Sequence, residues 1–223
     1  MSIIFAGIIG LVLGSFLGVV VDRVPIGESV IWGRSHCASC GARLTNRDLI
    51  PVISQVLSRS RCTRCGAHFS WKYAIIEILS ALTAVSCWLT EIPLELALFF
   101  LMSLVLSVCD WREHAFPVSI WLGFTLIILA VSTINWAFIL FLILSALTER
   151  FVRKMGAGDV LWLATASLIF SFQQLIWLVQ CASLAGILFY FVTHKKNEIP
   201  FVPFLSAASV LITLASLFLR QIH

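Results

Sequence analysis

The sequence predicts an all-α polytopic membrane protein of about eight transmembrane helices, with a small cytoplasmic zinc-binding domain between the first and second. Three observations carry this. Of 223 residues, 60% are hydrophobic and only 12% are charged. Apolar runs recur that are long enough to cross a bilayer, which takes about 20 residues as helix. The only substantial hydrophilic segment, residues 22–73, holds two copies of a CxxCGA unit, one at Cys37, Cys40, Gly41 and Ala42, the other at Cys62, Cys65, Gly66 and Ala67. The formal charge of +4 implies no nucleic-acid partner, because in such a chain the placement of Lys and Arg matters more than their sum.

In order, the expected spans are 3–21, 74–90, 94–109, 117–134, 135–148, 159–172, 173–193 and 201–219. The first lacks both a basic flank and a small-residue cleavage site, and is expected to be a retained span. Residues 159–193 are too many for one crossing of a ~30 Å core, so the run is divided at Gln173-Gln174. Three parts follow: a first transmembrane helix at 1–21, a cytoplasmic four-cysteine domain at 22–73, and a transmembrane domain of about seven helices at 74–223.

Charge supports this division and sets the orientation. With eight crossings, one side receives residues 22–73 and the connections around Arg112, Arg150 to Lys154, and Lys195-Lys196. Fourteen of the fifteen Lys and Arg fall there, leaving Arg220 opposite. So strong a bias marks that side as cytoplasmic and puts both termini on the other. A single helix over 159–193 would place Lys195 and Lys196 outside, against the bias.

This topology puts two acids at the same membrane face, Asp110 at the end of the third span and Asp159 at the start of the sixth. Carboxylates at the edge of hydrocarbon are costly. Two within reach of one another can share a proton, the arrangement by which aspartyl proteases activate water. Each acid alone also reads as a solvated end-group or helix cap, Asp159 at the positive end of its helix dipole, and residues 111–114 as an ordinary loop. Gly156 and Gly158 favour the paired reading, because they let the backbone bend and approach closely just before Asp159. Glu77, inside the second span, is expected to face the bundle interior, neutralised or paired, in a structural role or along a substrate path. Trp111 and Trp162 read as interface-belt residues, and Cys87, Cys109 and Cys181 as small packing residues.

The cysteine pairs point to a metal. Two residues between thiolates let one tight turn present both sulfurs, the following glycine relieves the backbone where the turn closes, and two such units supply Cys37, Cys40, Cys62 and Cys65 as four ligands for tetrahedral zinc. A redox pair or disulfide is the competing reading, which the reducing cytoplasm disfavours. Four thiolates close the coordination sphere, so the zinc is expected to be structural, stapling a segment too small to build its own core. His36 and His68 stand beside the pairs as substitute ligands or exposed loop histidines.

Together these residues resemble the type IV prepilin peptidases, the GxGD aspartic proteases that act as leader peptidases of type IV pilins and type II secretion pseudopilins. The likeness runs along almost the whole chain. It begins with Ser15-Phe16-Leu17-Gly18-Val19-Val20 and Arg23-Val24-Pro25, similar to the family's SFLNVV and RLP. It continues through the two CxxC pairs, Asp48 to Ser54 between them, and Tyr73 to Glu77. It closes with Asp110 seven residues before Pro117 and the GxGD run ending at Asp159. The family commonly has Asn at Gly18, Pro at Ala38, Asp at Val118 and Lys at Leu161. None of these departures removes a carboxylate or a thiolate, and the N-terminal ones lie in the region associated with methylation.

The resemblance implies a bacterial inner-membrane peptidase with Asp110 and Asp159 as catalytic dyad, Gly156 and Gly158 as supporting backbone, and prepilins or pseudopilins as substrates. Cleavage follows a leader glycine, and S-adenosylmethionine then methylates the exposed residue, often Phe. The basic segment would hold anionic lipid head groups or help form the methyl-donor site. Three functions stay open at this point: the bifunctional peptidase and N-methyltransferase, a peptidase without methyl transfer, and a non-catalytic zinc-bearing scaffold or redox protein.

Overall fold

A computed structural model describes residues 2–90, 92–151, 156–193 and 199–222. The basic positions Arg153, Lys154, Lys195 and Lys196, on which the orientation partly rests, lie outside the described residues. Among the described residues the regular structure is helical, with two isolated β-bridges in an otherwise irregular segment between the first two long helices. They form two compact units, Met1–Pro93 and Leu94–His223.

In the first unit, α1 (Ile3–Arg23) packs along α3 (Lys72–Thr90). The seam is made of small residues. A Cβ at Gly10 would stand 2.5 Å from the Ala81 Cα, and one at Gly14 2.5 Å from the Glu77 Cα. Such a seam lets two apolar helices approach by backbone, which is how helices associate where lipid removes the hydrophobic drive. Between them lie a 3₁₀ turn, Asn46–Leu49, and a short helix α2, Ile53–Leu57. Thr45 and Asp48 close a capping box at the start of that turn, each satisfying an amide of the other's backbone.

The second unit holds α4 (Leu94–Glu113), α5 (Val118–Leu129), α6 (Trp136–Phe151), α7 (Ala157–Ser167), α8 (Phe172–Thr193) and α9 (Val202–Ile222). With α1 and α3, eight hydrophobic helices stand where eight spans were expected. Five of them are long and apolar enough to cross a membrane (α1, α3, α4, α8 and α9), whereas α5 and α6 are shorter and α7 has 11 residues. The division at Gln173-Gln174 falls within one residue of the start of α8. Helix α4, however, does not stop at Cys109. It runs on to Glu113, so Trp111, Arg112 and Glu113 are helical and not loop.

The short helix α7 is the hub of the second unit. It packs on α4, α5, α6 and α8, and polar side chains hold it to three of them. Trp162 donates from Nε1 to Ser103 Oγ on α4 at 3.0 Å. Trp121 on α5 donates to Leu161 O and to Thr165 Oγ1, both at 2.9 Å. Asn135 donates to Ser167 O at 2.5 Å, while its carbonyl accepts the Phe138 amide at 2.8 Å. One amide side chain thus finishes the end of α7 and the start of α6, where bare backbone in lipid costs several kcal/mol per group. Trp162 corrects the belt reading: it is fully buried against Phe99, with ring centroids 4.9 Å apart, and is a core residue.

Candidate functional site

Asp110 lies on the last turn of α4 and Asp159 in the first turn of α7, both half-buried. Their carboxylates are close enough to interact electrostatically. Local structure explains how two residues 49 positions apart in sequence come together. His114 ends α4 with a φ of 49°, its amide still bonded to Asp110 O at 3.0 Å. The chain turns there, and the Phe116 ring seats directly on the Cα of Gly158, leaving no room for a Cβ. Phe116 follows one acid by six residues and Gly158 precedes the other by one, so this contact draws the two helix ends together.

The glycines act by close approach and not by unusual dihedrals. Gly156 caps α7 with φ −63° and ψ 101°, angles open to any residue. A Cβ there would stand 3.0 Å from Asp159 Oδ2, so the missing side chain lets the carboxylate fold back over the helix start. The Asp159 amide bonds Gly156 O at 3.1 Å.

Asp110 has a partner that sequence reasoning missed. Its Oδ2 accepts the Val202 amide at 3.0 Å, at the first residue of α9. The available signal was the run Pro200-Phe201-Val202-Pro203 opening the last apolar stretch, since prolines favour a helix start whose free amides seek an acceptor.

The four predicted cysteines also come together. Each pair is built alike. Cys37 N bonds Ala42 O at 2.9 Å and Gly41 N bonds Cys37 O at 2.8 Å, while Cys62 N bonds Ala67 O at 2.8 Å and Gly66 N bonds Cys62 O at 2.9 Å. Gly41 and Gly66 take φ of 68° and 73°, the left-handed region that glycine enters without penalty. The four sulfurs lie within 4.8 Å of one another, with Cys37 Sγ 3.8 Å from Cys65 Sγ. Tetrahedral thiolates with Zn–S near 2.3 Å stand about 3.8 Å apart. The spacing fits a zinc ion and exceeds any disulfide bond. The backbone amides of Cys40 and Ser39 pull the Cys37 thiol down to about 6, which readies it as a ligand. The Ala67 amide pulls on Cys65 too, but burial and the neighbouring sulfurs prevail and push it up to about 11. His36 and His68 instead form the β-bridges that close each unit, with Arg43 and Arg61 respectively.

Glu77 is buried in α3, and its Oε2 accepts the Val52 amide at 2.7 Å, with Ser15 of α1 as a second partner. Val52 has a φ of 59°, a costly conformation for a β-branched residue. Nearby, Asp22 binds both Lys72 and the Tyr73 hydroxyl. A Cβ at Gly18 would stand 3.1 Å from the Tyr73 ring, so glycine lets helix and ring approach closely at that departure from the family pattern.

Residues 8–90 match the family described as the Bacterial Peptidase A24 N-terminal domain. The chain is 28% identical to the prepilin leader peptidase/N-methyltransferase of Bacillus subtilis (strain 168), over 95% of this chain and 92% of that protein. It is 28% identical to the type 4 prepilin-like proteins leader peptide-processing enzyme of Escherichia coli O78:H11, over 93% of this chain and 91% of that one. With the prepilin leader peptidase/N-methyltransferase of Myxococcus xanthus it shares 31% identity over 52% of this chain, a match spanning 36% of that relative's length. No solved structure matches the chain.

Proposed function

Since the chain belongs to the bacterial prepilin leader peptidase family, we propose that it cleaves the basic leader of a prepilin or pseudopilin with Asp110 and Asp159 as its catalytic pair. The observation that carries this reading is the convergence of the two carboxylates from separate helix ends. Two such groups do not both ionise cheaply, and they titrate as a unit. Asp110 is the ionised member in the resting pair, because the Val202 amide at the positive end of α9 donates to it and a hydrogen bond of that kind favours the charged form. Asp159 then holds the shared proton.

A water between them loses a proton to Asp110 and attacks the scissile carbonyl carbon, while Asp159 gives its proton to the carbonyl oxygen. Collapse of the tetrahedral intermediate breaks the C–N bond. The proton on Asp110 passes to the leaving nitrogen, and the hydroxyl proton returns to Asp159. The cut lies at the cytoplasmic face of the inner membrane, where the bias of Lys and Arg puts both acids, and follows a leader whose basic residues stay in the cytosol. Both termini face the other side.

Cys37, Cys40, Cys62 and Cys65 hold a structural zinc that staples the 22–73 segment as a separate domain. The names of the relatives favour a second activity, methylation of the new amino terminus with S-adenosylmethionine. The test is purified protein incubated with a prepilin and read by intact mass. A shortened product supports the peptidase, one added methyl mass supports the transferase, and an uncut substrate with the parent protein overturns the reading.

A further inference from the structure

Arg23 is the last residue of α1, a helix of 21 residues and therefore about 31 Å long. That matches the hydrocarbon thickness and sets its guanidinium at the polar boundary. The side chain does not reach outward. Nη1 donates to Ser29 O at 3.0 Å and to Trp32 O at 3.2 Å, and Nη2 donates to Gly33 O at 3.4 Å. The Arg23 carbonyl accepts the Glu28 amide at 2.9 Å, and Trp32 N donates to Ser29 Oγ at 3.1 Å. Residues 24–33 are thereby clamped to the end of a membrane span as a closed loop. Beside the clamp, Ile31 is 85% exposed and Trp32 81%, the highest values among the large hydrophobic side chains described.

A loop held rigid by its own backbone while displaying two large apolar side chains has no use for them in water, and an exposed patch of this kind marks a contact surface. We propose that the Ile31–Trp32 pair is an interfacial anchor that inserts into the head-group layer of an anionic bilayer and fixes the cysteine-bearing segment at the membrane surface. Two features choose the bilayer as occupant. The clamp residue is the end of a span and holds the Trp32 carbonyl itself, so the pair is tethered at bilayer level, where tryptophan is the preferred side chain. Residues 22–73 also carry eight basic against three acidic side chains, and each Lys or Arg near an anionic surface adds about 1 kcal/mol of attraction. The inference rests on α1 as a membrane span and is independent of the peptidase reading.

The test uses the full-length protein in phosphatidylethanolamine and phosphatidylglycerol vesicles, with and without bromine on the upper acyl carbons, comparing the parent with Trp32→Phe. The fluorescence lost in the variant belongs to Trp32. The expected result is that this difference emission is blue-shifted and that brominated lipid removes about half of it or more, as for a ring at the interface. Arg23→Gln, which loosens the clamp but keeps Trp32, weakens that quenching. A difference emission that is red, insensitive to bromine and quenched by iodide overturns the proposal. So does one that is blue-shifted yet insensitive to bromine, which would mean that protein covers the pair.

Discussion

The backbone amide of Val202 points at the carboxylate of Asp110 across 3.0 Å, tying the start of α9 to the end of α4 through one acidic side chain. The tie makes the two acids unequal, since one is held by a helix terminus and the other folds over Gly156. Asp110→Asn and Asp159→Asn are each expected to lower prepilin cleavage by roughly 10⁴-fold, because members of a unit that act together fail together. Intact mass of the product checks this, with zinc content unchanged as the control for folding.

Gly158→Ala drives a methyl group into the Phe116 ring. The expected cost is about 1–3 kcal/mol of overpacking, with a fall in cleavage as the acids separate. In Gly158→Ala/Phe116→Ala the two effects should not add. Thermal unfolding and cleavage rates of the single and double variants test the coupling.

Cys62→Ser removes one of four sulfurs lying within 4.8 Å of one another. Zinc content, measured by metal analysis, should fall from one ion per chain toward zero. Limited proteolysis should then cut within residues 22–73, since the segment without its staple has little core of its own. A chelator strong enough to strip the parent should reproduce the pattern.

Glu77→Ala leaves the part-buried Val52 amide without its acceptor, a loss of about 1–3 kcal/mol. Glu77→Gln keeps a carbonyl oxygen in place and should cost less. The ranking in thermal unfolding separates a structural acceptor from a residue needed for its charge.

The five long hydrophobic helices were legible because apolar runs of bilayer length are the strongest signal a sequence carries, and the three shorter ones because polar breaks bound their apolar runs. Their ends were not. α4 passes Asp110 by a full turn because His114 still donates to Asp110 O, and an amphipathic turn such as Trp111-Arg112-Glu113 has no hydropathy signal of its own. The cysteine units were legible to the residue, since repeated spacing fixes repeated geometry. Trp162 was misread because composition gives an indole beside an acid the look of a belt residue, whereas its Nε1 finds Ser103 inside the bundle. The contacts that draw the acids together, Phe116 on Gly158 and Val202 on Asp110, join residues 42 and 92 positions apart. Local pattern says nothing about pairs so distant.

With 11 residues, α7 rises only about 16 Å, roughly half the depth of hydrocarbon, and Asn135 finishes its inner end. Because α4, α5, α6 and α8 pack around it, protein and not lipid has to accommodate so brief a rod. On the proposed peptidase reading, a pilin would be severed at the edge of the membrane while its greasy stretch stays dissolved in fat, with no need for that stretch to unwind first.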